Sequence, residues 1–170
     1  YGWIEGGKTK VIKRPYDQEF KRLKTLDIND KAVNVFLEAC KDYKIKPMTT
    51  IFTRDVIKKT FNQGFKSIKL ASFDCISYPL AKEIIDFNPE LLIVSTGCSY
   101  KKEIEEMAKI IQKIPNHALL HCVSIYPTPL HEANISRIDY LKTLVKKVGL
   151  SDHSDYTENK LEILKWSVCK

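Results

Sequence analysis

Six positions in this chain combine a polar side chain with a place where chemistry is expected. Lys69 sits between Ile68 and Leu70 in an apolar run. A lysine in a buried strand is costly unless its ammonium finds a partner or reaches water along its stem. The functional reading is a cation set to meet an anionic ligand. Ser72, Ser95, Ser124 and Ser151 each close an apolar run, and Thr50 stands in the same position one run earlier. Hydroxyls at several strand ends near one lysine can hold a phosphate or carboxylate through neutral hydrogen bonds.

The stretch Val148-Gly149-Leu150-Ser151-Asp152-His153-Ser154 adds an imidazole. Strand side chains alternate with period two, so Ser151 and His153 share a face and Asp152 points to the other. His153 is therefore the candidate metal ligand, with Asp152 as a supporting partner. The plainer reading is a strand followed by an Asp-Ser turn. His121, between Leu120 and Cys122, reads as a core histidine. Tyr126 shares a face with Ser124 and can orient a polar substrate or cap the rim. No Gly-x-Ser-x-Gly elbow supports a serine nucleophile, and no local spacing supplies a second metal ligand.

Those residues need a scaffold. A helix is expected from Asn29 or Asp30 to Tyr43, stopped by Pro47, and then strands and helices alternate. The strands fall at Met48–Phe52, Ser67–Ala71, Leu91–Val94, Ala118–Val123 and Val148–Ser151. The intervening helices are Asp55–Gln63, Tyr78–Phe87, Tyr100–Lys113 and Ile135–Lys146, with a last one at Tyr156–Cys169. Near-continuous apolar strands between helices mark a parallel sheet buried on both faces. A doubly wound sheet concentrates its site at one switch point, usually with a Gly-rich phosphate loop, and neither GxGxxG nor GxxxxGKS is present. Polar groups at all five strand ends suit a barrel mouth, so the fold expected is α/β, a partial (β/α)₈ TIM barrel. Residues 1–28 read as a basic irregular loop segment, with a short helical turn near Asp17–Lys24, and 29–170 as the partial barrel.

Bulk composition agrees with a globular domain. The chain has 170 residues, 44% hydrophobic and 29% charged. No apolar run approaches the roughly 20 residues that span a bilayer. The five cysteines form no CxxC pair, which suits a reduced, cytoplasmic protein better than a disulfide framework. Of the net charge of +7, the first 24 residues carry +4. That segment opens a competing reading, a non-catalytic domain whose basic stretch binds nucleic acid. Mixed-sign helices elsewhere argue against it, and no nucleic-acid partner is expected.

Taken together, these segments resemble the sialic acid synthase (N-acetylneuraminate synthase) family. Lys69-Leu70-Ala71-Ser72-Phe73-Asp74 followed by Tyr78-Pro79-Leu80 is similar to that family's K-[IL]-[AG]-S-G-[DE]…YPL segment. Ser95-Thr96-Gly97 is similar to its STG strand end, Leu119 to Pro129 to its LLHC-x-x-x-YP-x-P segment, and Gly149 to Ser154 to its G-[YL]-SDH-[TS] segment. The four motifs occur in the family's order over about residues 30–165. Departures are Phe73 where the family has Gly, and Ser124 where it often has Asn.

The resemblance implies strands three to seven of a (β/α)₈ barrel. It implies condensation of phosphoenolpyruvate with an N-acylated amino sugar of the N-acetylmannosamine type, giving a sialic acid and phosphate, or a related pseudaminic or legionaminic acid. Under it, Thr50, Lys69, Ser72, Ser95, Ser124 and Ser151 hold phosphoenolpyruvate, Asp74 and Tyr126 face the sugar, and His153 binds a divalent metal, Mn²⁺. Lys69 and His153 are the catalytic pair. The family's first two strands, its eighth strand with a second metal histidine, and its C-terminal domain have no counterpart in these 170 residues. The resemblance further implies a parent that is a homodimer and a fragment that is inactive alone.

Overall fold

The computed structural model describes residues 2–5, 8–11, 16–155, 157 and 161–170, with side chains from residue 16 onward. The chain divides into two units, Tyr1–Tyr43 and Lys44–Lys170. In the first, β1 (Gly2–Glu5) and β2 (Lys8–Val11) form an antiparallel hairpin, followed by α1 (Tyr16–Lys24) and α2 (Asp30–Asp42). Asn29 caps α2: its side-chain oxygen accepts from the Ala32 N–H at 2.9 Å, satisfying one of the free donors of the first turn.

Within residues 1–28, expected to be irregular, the described residues thus form a hairpin and a helix. The helical turn expected near Asp17–Lys24 is a full helix of nine residues. It is secured by acidic residues in its first turn and basic ones in its last, and by Arg22 donating to Glu19 at 2.6 Å. The hairpin escaped notice because its strands are four residues each, too short to show alternation.

The second unit carries the five-stranded sheet: β3 (Met48–Thr50), β4 (Ser67–Leu70), β5 (Leu91–Ser95), β6 (His117–Cys122) and β7 (Val148–Ser151). All four ladders are parallel, and the spatial order is the sequence order, β3-β4-β5-β6-β7. This order separates the two architectures. A doubly wound sheet reverses direction at its switch point; here each new strand is added on the same side as the last, as in a barrel. The helices between strands are α3 (Ile57–Asn62), α4 (Tyr78–Asp86), α5 (Lys101–Ile111) and α6 (Arg137–Lys142), with α7 (Glu162–Val168) after β7. The helix expected over Tyr156–Cys169 lies partly outside the described residues; its described part is α7.

Period-two alternation assigns the two faces of this sheet. Ile68, Leu70, Leu92, Val94 and Leu119 share one face and are all fully buried. Leu80, Ala81, Ile84, Ile104, Met107, Ile111, Ile138 and Leu141 of the helices are buried with them. Truncating one of these leucines to alanine costs about 2–5 kcal/mol. The helix layer is further tied by Phe61 stacked on Phe87 at 5.0 Å and by Arg54 paired with Glu83 at 2.5 Å. Gly64 (φ +105°) ends α3 in a conformation that favours glycine.

The other, inner face presents Thr50, Lys69, Leu91, Ile93, Ser95, Leu120, Cys122, Gly149 and Ser151, by register across the ladders. Leu91, Ile93 and Leu120 are only half-buried there. A Cβ at Gly149 would stand 2.9 Å from Leu120 Cδ2, so a larger residue there pushes the leucine tip aside. Among the described residues, no helix is long and apolar enough to cross a membrane.

Candidate active site

The inner face collects the polar strand ends at one place, and Gly97 marks its centre. A Cβ at Gly97 would fall 2.5 Å from Ser124 Oγ, 2.8 Å from Ser72 Oγ and 3.1 Å from Cys122 Sγ. Three strand ends therefore pack so closely here that a residue without a side chain fits best. The Gly97 N–H donates to Ser72 Oγ at 3.2 Å, and Ser72 donates to Cys122 Sγ at 3.2 Å. Thr96 Oγ1 donates to the Leu120 carbonyl at 2.9 Å and pins the β5 end to β6. Ser95 Oγ is buried without a hydrogen-bond partner. A buried hydroxyl of that kind is costly unless a ligand or water answers it.

His153 joins this group from β7. Its Nδ1 lies 2.8 Å from the Val123 carbonyl oxygen. A carbonyl only accepts, so Nδ1 carries the proton and donates. Nε2 is then the unprotonated nitrogen and accepts from the Tyr126 hydroxyl at 3.2 Å, with Ser151 Oγ 3.5 Å away. The Tyr126 ring stacks on the imidazole at 4.1 Å. Thr128 N–H donates to the His153 carbonyl at 2.9 Å, so the loop after β6 and the loop after β7 are fastened together. Asp152 Oδ1 accepts from the Ser154 N–H at 2.9 Å. Both readings of this stretch hold: an Asp-Ser turn exists, and it presents His153 beside Ser151. Asp152 bonds to that turn rather than to the imidazole.

Lys69 and Thr50 are direct register partners on the inner face. Both are half-buried, and no carboxylate pairs with Lys69 among the described residues. An unpaired ammonium on the same face as a cluster of hydroxyls makes a site for an anion. Asp74 lies in the turn after β4; burial raises its carboxyl above the ordinary range, and no hydrogen bond ties it to the hydroxyl cluster. Phe73, in the same turn, is 79% exposed and does not fill the inner face.

His121 behaves as a core residue. Its Nε2 sits 2.7 Å from the Ala133 carbonyl oxygen and its Nδ1 is buried without a partner. Burial pushes its pKa down. Two elements of the site were not anticipated from the sequence: Cys122 between Ser72 and His153, and Gly97 as the point where the strand ends meet. Cys122 shares the parity of Ser124, so the alternation that aligned the serines also placed the thiol. All five cysteines are free, with Cys98 and Cys169 exposed. Among the described residues no group of three or more His, Cys, Asp or Glu side chains converges on a metal position.

A family model described as the NeuB family matches residues 7–165. The chain belongs to this family. The NeuB-family chain is 30% identical over 159 residues to N,N'-diacetyllegionaminic acid synthase of Campylobacter jejuni, covering 86% of this chain and 47% of that protein. It is 34% identical over 97 residues to pseudaminic acid synthase of the same species, 50% of this chain and 28% of that one. The crystal structure of N-acetylneuraminic acid (sialic acid) synthetase from Leptospira borgpetersenii superimposes with a TM-score of 0.77 at 28% identity, over 88% of this chain and 53% of that one. The chain thus spans about half the length of the relatives it matches. Its five sequential parallel strands are part of a TIM-barrel-like fold.

Proposed function

We propose that the inner face is the phosphoenolpyruvate site of a synthase that condenses this compound with an N-acylated amino sugar of the N-acetylmannosamine type to give a nonulosonic acid and phosphate. The observation that carries the reading is the meeting of Ser72, Ser124 and Gly97 at one place on the sheet face that also carries an unpaired Lys69. Phosphoenolpyruvate carries a phosphate and a carboxylate, and such an anion needs one cation and several hydrogen-bond donors. The names of the relatives support the class: they are synthases of legionaminic, pseudaminic and sialic acid. The Leptospira synthetase is in complex with citrate, itself a polyanion.

In this reading Lys69 draws the dianion in and stays with it through the reaction. Ser72, Ser95, Ser124, Ser151 and Thr50 orient it by donating hydrogen bonds. C3 of phosphoenolpyruvate attacks the sugar aldehyde, water adds at C2, and phosphate leaves by C–O cleavage. The protein's part is chiefly to hold both reactants in attack geometry and to neutralise charge.

His153 fits a divalent metal, Mn²⁺, in one respect: Val123 fixes the ring so that Nε2 is the available nitrogen, the usual support for a metal-bound imidazole. The bound metal would act as a Lewis acid on the aldehyde oxygen. Tyr126 occupies Nε2 through its hydroxyl, so it must swing aside to admit the ion. It is 71% exposed, and its stacking on the imidazole and this hydrogen bond are what it must give up. Tyr126 and Asp74 would then meet the sugar. Calorimetric titration of the chain with phosphoenolpyruvate tests the reading. Saturable binding that Lys69→Ala weakens at least tenfold supports it, and binding indifferent to Lys69→Ala overturns it.

A further inference from the structure

A cavity of about 430 Å³ opens beside the first turns of α5 and α6, lined by Ser99, Tyr100, Lys101, Asn134, Arg137 and Tyr140 among others. It shares no residue with the inner-face cluster. Its size falls within the roughly 300–1,000 Å³ typical of small-molecule sites.

Two cations face it without a carboxylate partner among the described residues. Lys101 Nζ lies 4.9 Å over the Tyr140 ring. Arg137 donates from Nη2 to the Ser99 carbonyl at 2.8 Å, while its Nε–H is buried with no partner at all. Two carboxylates nearby bond to neutral donors and pair with neither cation. Glu103 accepts the Tyr100 N–H at 2.6 Å, and Glu105 accepts the Tyr140 hydroxyl at 3.1 Å. Arg137 and Lys101 thus bring two positive charges to the cavity with no carboxylate among the described residues to neutralise them, and an anion there supplies that partner. The occupant's shape follows from the donors. A planar carboxylate would satisfy the arginine fork alone. A tetrahedral phosphate can meet Arg137, Lys101 and the hydroxyls around them together.

We propose that this cavity is a second anion site, separate from the inner face, that binds the phosphate group of a small phosphorylated molecule through Arg137 and Lys101. The same arginine holds the turn that feeds the inner face. Ser99 Oγ donates to the Gly97 carbonyl at 3.1 Å, and the Gly97 N–H donates to Ser72.

Titration of the chain with inorganic phosphate, followed in ¹H–¹⁵N spectra, tests the proposal. The side-chain Nε–H of Arg137 and the amides of Ser99, Lys101 and Tyr140 should shift together and saturate. Lys101→Gln, an exposed substitution that leaves the fold intact, should weaken that titration about tenfold. Lys69→Ala should leave it unchanged while removing any response at Ser72 and Ser124. Acetate should bind this cavity more weakly than phosphate. The proposal is overturned if these signals do not respond saturably or if their response disappears in Lys69→Ala. It is equally overturned if Lys101→Gln and Arg137→Gln both retain full affinity, or if acetate matches phosphate.

Discussion

Replacing Gly97 by alanine puts the geometry of the inner face to a quantitative test. The added methyl would stand 2.5 Å from Ser124 Oγ and 2.8 Å from Ser72 Oγ. To restore an ordinary contact of 3.4 Å, Ser124 must retreat by about 0.9 Å and Ser72 by about 0.6 Å. Backbone strain is not the issue, since Gly97 has no positive φ; only the space matters. A hydrogen bond to a charged group is worth about 1.5–3 kcal/mol, and a shift near 1 Å forfeits most of one. Loss of one such bond weakens phosphoenolpyruvate binding about tenfold, and loss of both about a hundredfold or more. The melting temperature should fall by only a few degrees, because the overpacked atoms are movable hydroxyls rather than core methyls. Calorimetry of Gly97→Ala against the parent chain reads the affinity, and a thermal melt reads the fold. If the Gly97→Ala chain binds phosphoenolpyruvate as tightly as the parent, Ser72 and Ser124 do not contact it and the reasoning fails.

Further outcomes are expected from the same geometry. His153→Ala should abolish saturable Mn²⁺ binding, read by paramagnetic broadening of neighbouring amides, whereas Asp152→Ala should retain it, because Asp152 bonds only to the Ser154 turn. Tyr126→Phe should tighten Mn²⁺ binding up to about tenfold by freeing Nε2 from a neutral hydrogen bond; unchanged or weaker binding would show that the phenol assists the metal. His121 is held neutral by burial, with its folded pKa below the unfolded value. The unfolded chain therefore takes up that proton first, and stability present above about pH 6.5 is lost as the pH falls further. Urea titrations across that range should show this slope, and His121→Gln should flatten it. β3 and β7 each end the sheet with an unpaired edge among the described residues. The isolated chain should then associate as its concentration rises, and a sharp, reversible, monomeric transition would count against open edges.

The alternation of five apolar runs with helices was legible because the strands keep apolar residues on the inner face too, where Leu91, Ile93 and Leu120 are half-buried. Leu91 to Val94 and Leu119 to Cys122 contain no polar break except His121, which is itself a core residue. Strand parity carried further than expected, since Lys69, Ser95 and Ser151 share the inner face by register. The sequential strand order was legible only through the polar strand ends, which called for a barrel mouth, and through the family resemblance, because periodicity alone says nothing of which strand neighbours which. Gly97 and Cys122 went unread as site elements for a related reason. Their roles depend on a meeting with Ser72 and Ser124 across three strands, which no local pattern encodes. The Arg137 cavity lay further out of reach, since Ser99 and Arg137 are brought together only by the packing of β5 and β6 loops. The hairpin at the start of the chain failed for want of length, with four residues per strand.

The central claim is that this inner face belongs to a phosphoenolpyruvate-dependent sugar-acid synthase. Its most direct test is phosphate release from phosphoenolpyruvate labelled with ¹⁸O at the C–O–P bridge. The assay uses a complete protein containing these 170 residues, with Mn²⁺ and a panel of N-acylated amino sugars. The account predicts release only when a sugar is present, with the bridging label carried away in the phosphate and a nonulosonic acid as co-product. No sugar-dependent release with any member of the panel, or phosphate free of the label, would contradict it.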